Sequence, residues 1–239
     1  KDSKLIPSIH NYCDRWCERC AFTQRCSAFA MEAEMFDDEP EFDSETLVRK
    51  LSNILADAKA MIIEKAEELG IDPTPISDEE FNDIRERQEK FIEAEEFAVL
   101  AHQYAKDGFP ALESRAEWLR SSSGDSEAIE EAVSALYRYL FFIPVKIRGG
   151  VHGLLDVDGF EDPEQLSDPQ SDANGQIKIA LIAIERSILD WTYLLDESNA
   201  DRIRPLIRLL DRIKNGAEEK FPQAQDFIRP GFDEIETVM

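Results

Sequence analysis

All four cysteines of the chain fall between residues 13 and 26, within the segment HNYCDRWCERCAFTQRC. Cys13, Cys17, Cys20 and Cys26 form the array C-x3-C-x2-C-x5-C. Thiolates two or three residues apart on a turn can converge on one centre, and a fourth from the following turn completes four-sulfur ligation. Sulfur is a soft donor, so the occupants this chemistry selects are an iron–sulfur cluster or zinc. Disulfides fit poorly, because bridges inside one short loop close small rings and add little to a chain of 239 residues. Structural zinc sites usually use two separated pairs, whereas one compact string suits a cluster. The expectation is a 4Fe-4S cluster ligated by Cys13, Cys17, Cys20 and Cys26, with zinc as the alternative. Tyr12, Trp16 and Phe22 would shield such a centre, and Arg15, Arg19 and Arg25 would offset its negative charge. His10, three residues before Cys13, is an alternative ligand by position but is expected at the surface.

The run Cys17-x2-Cys20-x5-Cys26 is similar to the 4Fe-4S loop of endonuclease III-type DNA glycosylases, and to part of the SPASM cluster segment of peptide-modifying radical enzymes. The resemblance covers about fourteen residues. It departs at the first pair, where the glycosylase loop has six intervening residues and this chain has three. No helix-hairpin-helix signature accompanies it. The resemblance therefore implies cluster ligation by the four cysteines and not a glycosylase activity. Cys13-x3-Cys17-x2-Cys20 also resembles the signature of radical S-adenosylmethionine enzymes. Those enzymes leave one iron open and set their loop after the first strand of a partial barrel. Here Cys26 offers a fourth ligand, Arg19 stands where that family usually has an aromatic, and alternating strands and helices are missing.

Other residues could do chemistry only if the helices bring them together. A heptad reading of the second long helix gives Phe81, Ile84, Gln88, Phe91, Glu95, Ala98, His102 and Ala105, which puts Glu95 and His102 on the core-facing stripe. Carboxylate-bridged di-iron sites use Glu-x-x-His, and Glu95 and His102 lie roughly 10 Å apart along the axis at about 1.5 Å per residue. A buried ion pair or hydrogen-bonded network is the simpler expectation. Lys178 and Glu185 stand two turns apart on the most apolar helix, and His152 follows a glycine break. The stretch KIRGGVHG (146–153) matches neither phosphate-loop nor dinucleotide fingerprints and reads as helix termination. Asp156-x-Asp158 starts like a calcium loop, but Glu161 and Ser167 occupy the positions that need Gly and Glu. Arg204, Arg208 and Arg212 recur every four residues on the last helix and call for acidic partners. No reaction-specific motif is present, so an enzyme with a pocket near Glu95 and His102 stays a third reading.

The elements that must position these residues are helical. Apolar spacing of three and four predicts a short helix to about residue 35, then helices over 44–70, 77–107, 109–121, a span opening at Asp125 or Ser126, 173–196 and 203–214. Ser77 with Glu80 forms a capping box, Pro144 should kink or end its helix, and 173–196 should be central because it is apolar on more than one face. Strand signals are almost absent. The predicted class is all-α, a single compact bundle of five or six helices with an N-terminal metal-binding loop. Two parts are expected: a cysteine-rich metal-binding segment over 1–35 and the helical bundle over 36–239. With 27 basic and 51 acidic residues the formal charge is −24, which repels phosphate backbones and argues against nucleic acid. No apolar run reaches the roughly 18 residues a membrane helix needs. The expectation is a cytoplasmic protein. Its acidic surface and long helices suggest a protein partner, which makes a regulatory or scaffold role with a structural zinc the second reading.

Overall fold

The computed structural model describes residues 5–36, 44–70, 77–121 and 126–233. The acidic connector over 37–43, the Pro-rich turn over 71–76, the Ser/Gly loop with Asp125 and the last six residues lie outside them. Eight α-helices follow in order: α1 (Ser27–Phe36), α2 (Ser44–Leu69), α3 (Asp78–Ala94), α4 (Glu96–Ser121), α5 (Ser126–His152), α6 (Pro163–Ser167), α7 (Asp172–Leu194) and α8 (Ala200–Lys220). Among the described residues there is no strand, only an isolated bridge between Leu155 and Glu161. The all-α class is correct and the expected five or six helices was too few.

Four helices form the core. α7 packs most extensively on α5, α5 on α4, and α8 closes the ring by packing on both α4 and α7. α7 is central as expected, with Ile177, Leu181, Ile184 and Trp191 buried along it. Trp191 Nε1 donates to the Tyr104 hydroxyl at 3.0 Å, satisfying both polar atoms inside the core. Burial pushes the Tyr104 phenol up to about 12, so it remains a neutral hydrogen-bonding group. Ser77 caps α3 by accepting from Glu80 N at 3.2 Å, and Ser171 caps α7 by accepting from Asn174 N at 3.2 Å.

Three expectations about the helices fail for physical reasons. The helix expected over 77–107 is two helices, broken where Glu95 turns extended (φ −86°, ψ 104°), and the second runs on through Pro110 to Ser121. α5 likewise continues through Pro144 to His152. A mid-helix proline costs about 3 kcal/mol, but Leu136, Leu140, Ile143, Ile147 and Val151 are all fully buried on one α5 stripe. At roughly 1.5–3 kcal/mol for each such side chain, that burial wins. The glycines after Pro144 do not end the helix. A Cβ on Gly150 would lie 2.5 Å from the Ile177 side chain, so the missing side chain lets α5 and α7 approach closely.

α2 stands apart. It makes no substantial packing contact with another helix, and Val48, Leu51, Leu55, Ile62 and Leu69 leave an apolar stripe exposed.

Candidate metal centre

The chain over 6–26 folds as three single-turn 3-10 helices, Ile9–Asn11, Cys17–Arg19 and Thr23–Arg25, leading into α1. Ile6 and Ile9 are buried and anchor it, and Ile6 N donates to Arg25 O at 3.0 Å, which brings the ends of the loop together. Arg15 adopts φ 57°, a left-handed turn between Cys13 and Cys17 that non-glycine residues rarely take. Arg138 of α5 holds this turn by donating to Arg15 O at 3.0 Å.

The result is convergence. Cys13, Cys17, Cys20 and Cys26, all half-buried, line one partly open cavity of about 20 Å³, together with Trp16, Phe22 and Phe232. All four are free thiols. Phe22 N donates to Cys20 Sγ at 3.4 Å, and the backbone of Arg15 hydrogen-bonds to the Cys13 sulfur. Backbone amides aimed at sulfur favour the thiolate form and are a recurring means of tuning metal–sulfur centres. In thiol form Cys13 lies 3.6 Å from His10 O. Burial, opposed by the Arg15 amide and charge, pushes the Cys13 thiol up. Burial also raises Cys17, helped by the nearby charges of Cys13, Glu32, Cys20 and Cys26.

His10 is not a surface residue as expected. It lines the same cavity, half-buried, and its Nδ1 is buried without a hydrogen-bond partner. A buried orphan of this kind calls for an acceptor, which metal-bound sulfur would supply. The four thiols are a soft donor set that lines one cavity without closing around a single ion. Among the described residues, no three His, Cys, Asp or Glu side chains are grouped closely enough to hold a single ion.

The bundle holds the loop through contacts far apart in sequence. Asp14, next to Cys13, accepts from Arg186 Nη1 of α7 at 2.7 Å and from the Tyr139 hydroxyl of α5 at 3.1 Å. Lys146 Nζ donates to Asn11 O at 2.9 Å and to Gln176 at 2.8 Å, and burial lowers its pKa against the opposing influence of Cys13 and Asp172. Arg19 pairs with Glu131 and stacks over Trp16 at 4.2 Å, with Arg138 at 5.0 Å from the same ring. Cations therefore gather around the sulfurs within a strongly acidic chain. Arg15 and Arg19 were anticipated in that collar, whereas Arg138, Lys146 and Arg186 were not. The C-terminal segment closes the other side. Phe227 packs on Tyr12 at 4.6 Å and Phe232 edge-on against Phe22 at 5.0 Å. Lys178 ties this segment to α7, donating to Phe227 O and Gln225 O and pairing with Asp233 at 3.3 Å. Arg229 holds the Asp233 carboxyl well below the usual carboxylate range.

The other candidates do not assemble. His102 is exposed, contrary to the core-facing expectation; Ala98 is buried as expected, but the break at Glu95 resets the phase and turns Phe97, Ala101 and Tyr104 inward beside it. Glu95 pairs with Lys220 at 2.9 Å, joining the α3–α4 junction to the end of α8, so its ion pair joins helices but does not include His102. Glu185 pairs with Lys214 at 2.7 Å on the surface, away from Lys178, and His152 is exposed at the end of α5. Asp156 accepts from the amides of Asp158 and Phe160, both at 2.9 Å, a turn satisfied by its own backbone. Arg212 pairs with Glu96. No protein-family model matches the chain, and no curated protein or solved structure matches it either.

Proposed function

We propose that this chain is a metal protein in which Cys13, Cys17, Cys20 and Cys26 hold a 4Fe-4S cluster against a helical bundle, with a structural or electron-transferring role. The observation that carries the reading is that all four free thiols line one small, partly open cavity, with backbone amides directed at two of them. The cluster supplies, when bound, a one-electron couple buffered by its surroundings. The chain's own residues shield it with Trp16, Phe22 and Phe232 and surround it with arginine and lysine. Anaerobic preparations of Cys17→Ala and Cys26→Ala lose the metal, whereas Glu95→Gln combined with His102→Gln keeps it. Metal retained in both cysteine variants overturns the assignment. A reversible one-electron titration supports electron transfer, and an electrochemically silent, metal-loaded protein leaves the structural role.

One observation favours a second reading, a scaffold protein locked by a structural zinc: among the described residues α2 presents an unpartnered stripe, with Val48, Leu55, Ile62 and Leu69 seven residues apart. A single zinc requires the four thiolates to draw together around it. The stripe's occupant in this reading is α2 of a second copy, antiparallel. That arrangement sets Arg49 near one end opposite Glu64 and Glu67 near the other. One zinc per chain in a dimer supports this reading, and an iron-loaded monomer removes it.

A further inference from the structure

A second, larger cavity of about 710 Å³ lies against the outer side of the cysteine cage, between α5, α7 and the loop. The two cavities share Asp14, Trp16, Cys20, Phe22 and Phe232 as a common wall. Its volume falls in the range of small-molecule sites, roughly 300–1,000 Å³. Leu189, Phe22 and the small side chains Ala132 and Ala135 give it apolar surface.

Its charges are unequally matched. Arg19 is taken by Glu131, and Arg186 by Asp14 at 2.7 Å and the Tyr139 hydroxyl at 2.8 Å. Asp190 is left over. It sits four residues after Arg186 on α7, the spacing at which a helical ion pair forms, yet Arg186 turns to the loop instead. Among the described residues Asp190 has neither an ion pair nor a hydrogen bond. Burial, then the neighbouring Glu131 charge, push its carboxyl up to about 6 against the weaker opposing influence of Arg186.

We propose that this cavity binds a small organic cation, an amine or amidinium on an apolar body, with Asp190 as its counter-ion. A cation placed there supplies the missing charge, and its body covers the alanine and leucine surface. An organic anion would meet Asp190 and Glu131 with both arginines already engaged. A bare divalent ion lacks a set of ligands, since no three carboxylate, thiol or imidazole groups gather closely enough among the described residues. The site stands on α5, α7 and the packed loop, whichever metal the cysteines hold.

The test is calorimetric titration of the full chain, as purified, with benzylamine, pentylamine, benzyl alcohol, benzoate and Mg²⁺. Both amines should bind saturably, the alcohol about tenfold more weakly or worse, and benzoate not at all. Asp190→Asn should remove the preference for amine over alcohol, while Asp201→Asn, on α8 away from the cavity, should leave it intact. Binding of amine, alcohol and benzoate with equal affinity overturns the proposal. So does amine binding indifferent to Asp190→Asn, binding of Mg²⁺ alone, or no saturable binding by either amine.

Discussion

Cys13 and Cys20 each carry a backbone hydrogen bond to sulfur, at Arg15 and Phe22, two residues along the chain in both cases. An amide directed at sulfur favours the thiolate, and at Cys13 it opposes the larger effect of burial. Arg15→Gly tests how the loop is held. Glycine takes the left-handed turn without steric cost, so the variant should bind metal as well and unfold at equal or higher temperature, monitored by circular dichroism. A fall in metal content would show that the Arg15 side chain, and not the turn, matters. Asp190 gives a pH signature. Its folded-state pKa is raised, so the native state binds the extra proton, and stability is lost as pH rises from the ordinary carboxylate range through about 6. Asp190→Asn should therefore stabilise the protein above pH 6 and have no effect at pH 3. The gain is about 1 kcal/mol once solvent screening of this half-buried group is allowed for. Denaturant midpoints at the two pH values decide it, and an equal shift at both contradicts the account. At this scale the gathering of the four cysteines around one cavity was legible from spacing alone, because it is local. Asp14, Tyr139 and Arg186 were not, since they meet across 125 to 172 positions of chain.

The elements were legible where periodicity ran unbroken, as in α2 and α7. They were misread where punctuation residues were overruled by packing, at Pro110 in α4 and Pro144 in α5. The break at Glu95 was invisible for the opposite reason: neither Pro nor Gly announces it, and one extended residue changes which side of α4 faces the core. That single slip accounts for the misplacement of His102. The C-terminal segment, legible only as a proline-bearing tail, closes the metal loop through Phe227 and Phe232. Gly175 marks where loop and tail meet α7, because a Cβ there would lie 2.4 Å from Tyr12 and 2.7 Å from Phe227. Gly175→Ala must push two rings aside and should destabilise by about 1–3 kcal/mol. Denaturant unfolding should show that loss together with faster proteolysis of the N-terminal segment. Unchanged stability would mean that the loop is not clamped there.

Across the whole molecule, a ring of four helices forms a rigid base, and the N- and C-terminal segments pack together on one side of it. The cysteine loop and the larger cavity share a wall at that junction. α2 lies outside this arrangement, with its apolar stripe exposed. If α2 pairs with a second copy, Leu55→Asp with Ile62→Asp should convert a dimer to a monomer in sedimentation equilibrium without changing metal content. A wild-type chain that is monomeric at all concentrations removes the pairing. None of the helices is long and apolar enough to cross a membrane among the described residues. The central claim, a metal held by four converging sulfurs, is tested most directly by metal and acid-labile sulfide analysis of anaerobically purified protein, with its absorption spectrum. The account predicts about four irons and four sulfides per chain with broad absorption near about 400 nm. A colourless, metal-free protein whose four cysteines all react as free thiols, or are joined as cystines, would contradict it.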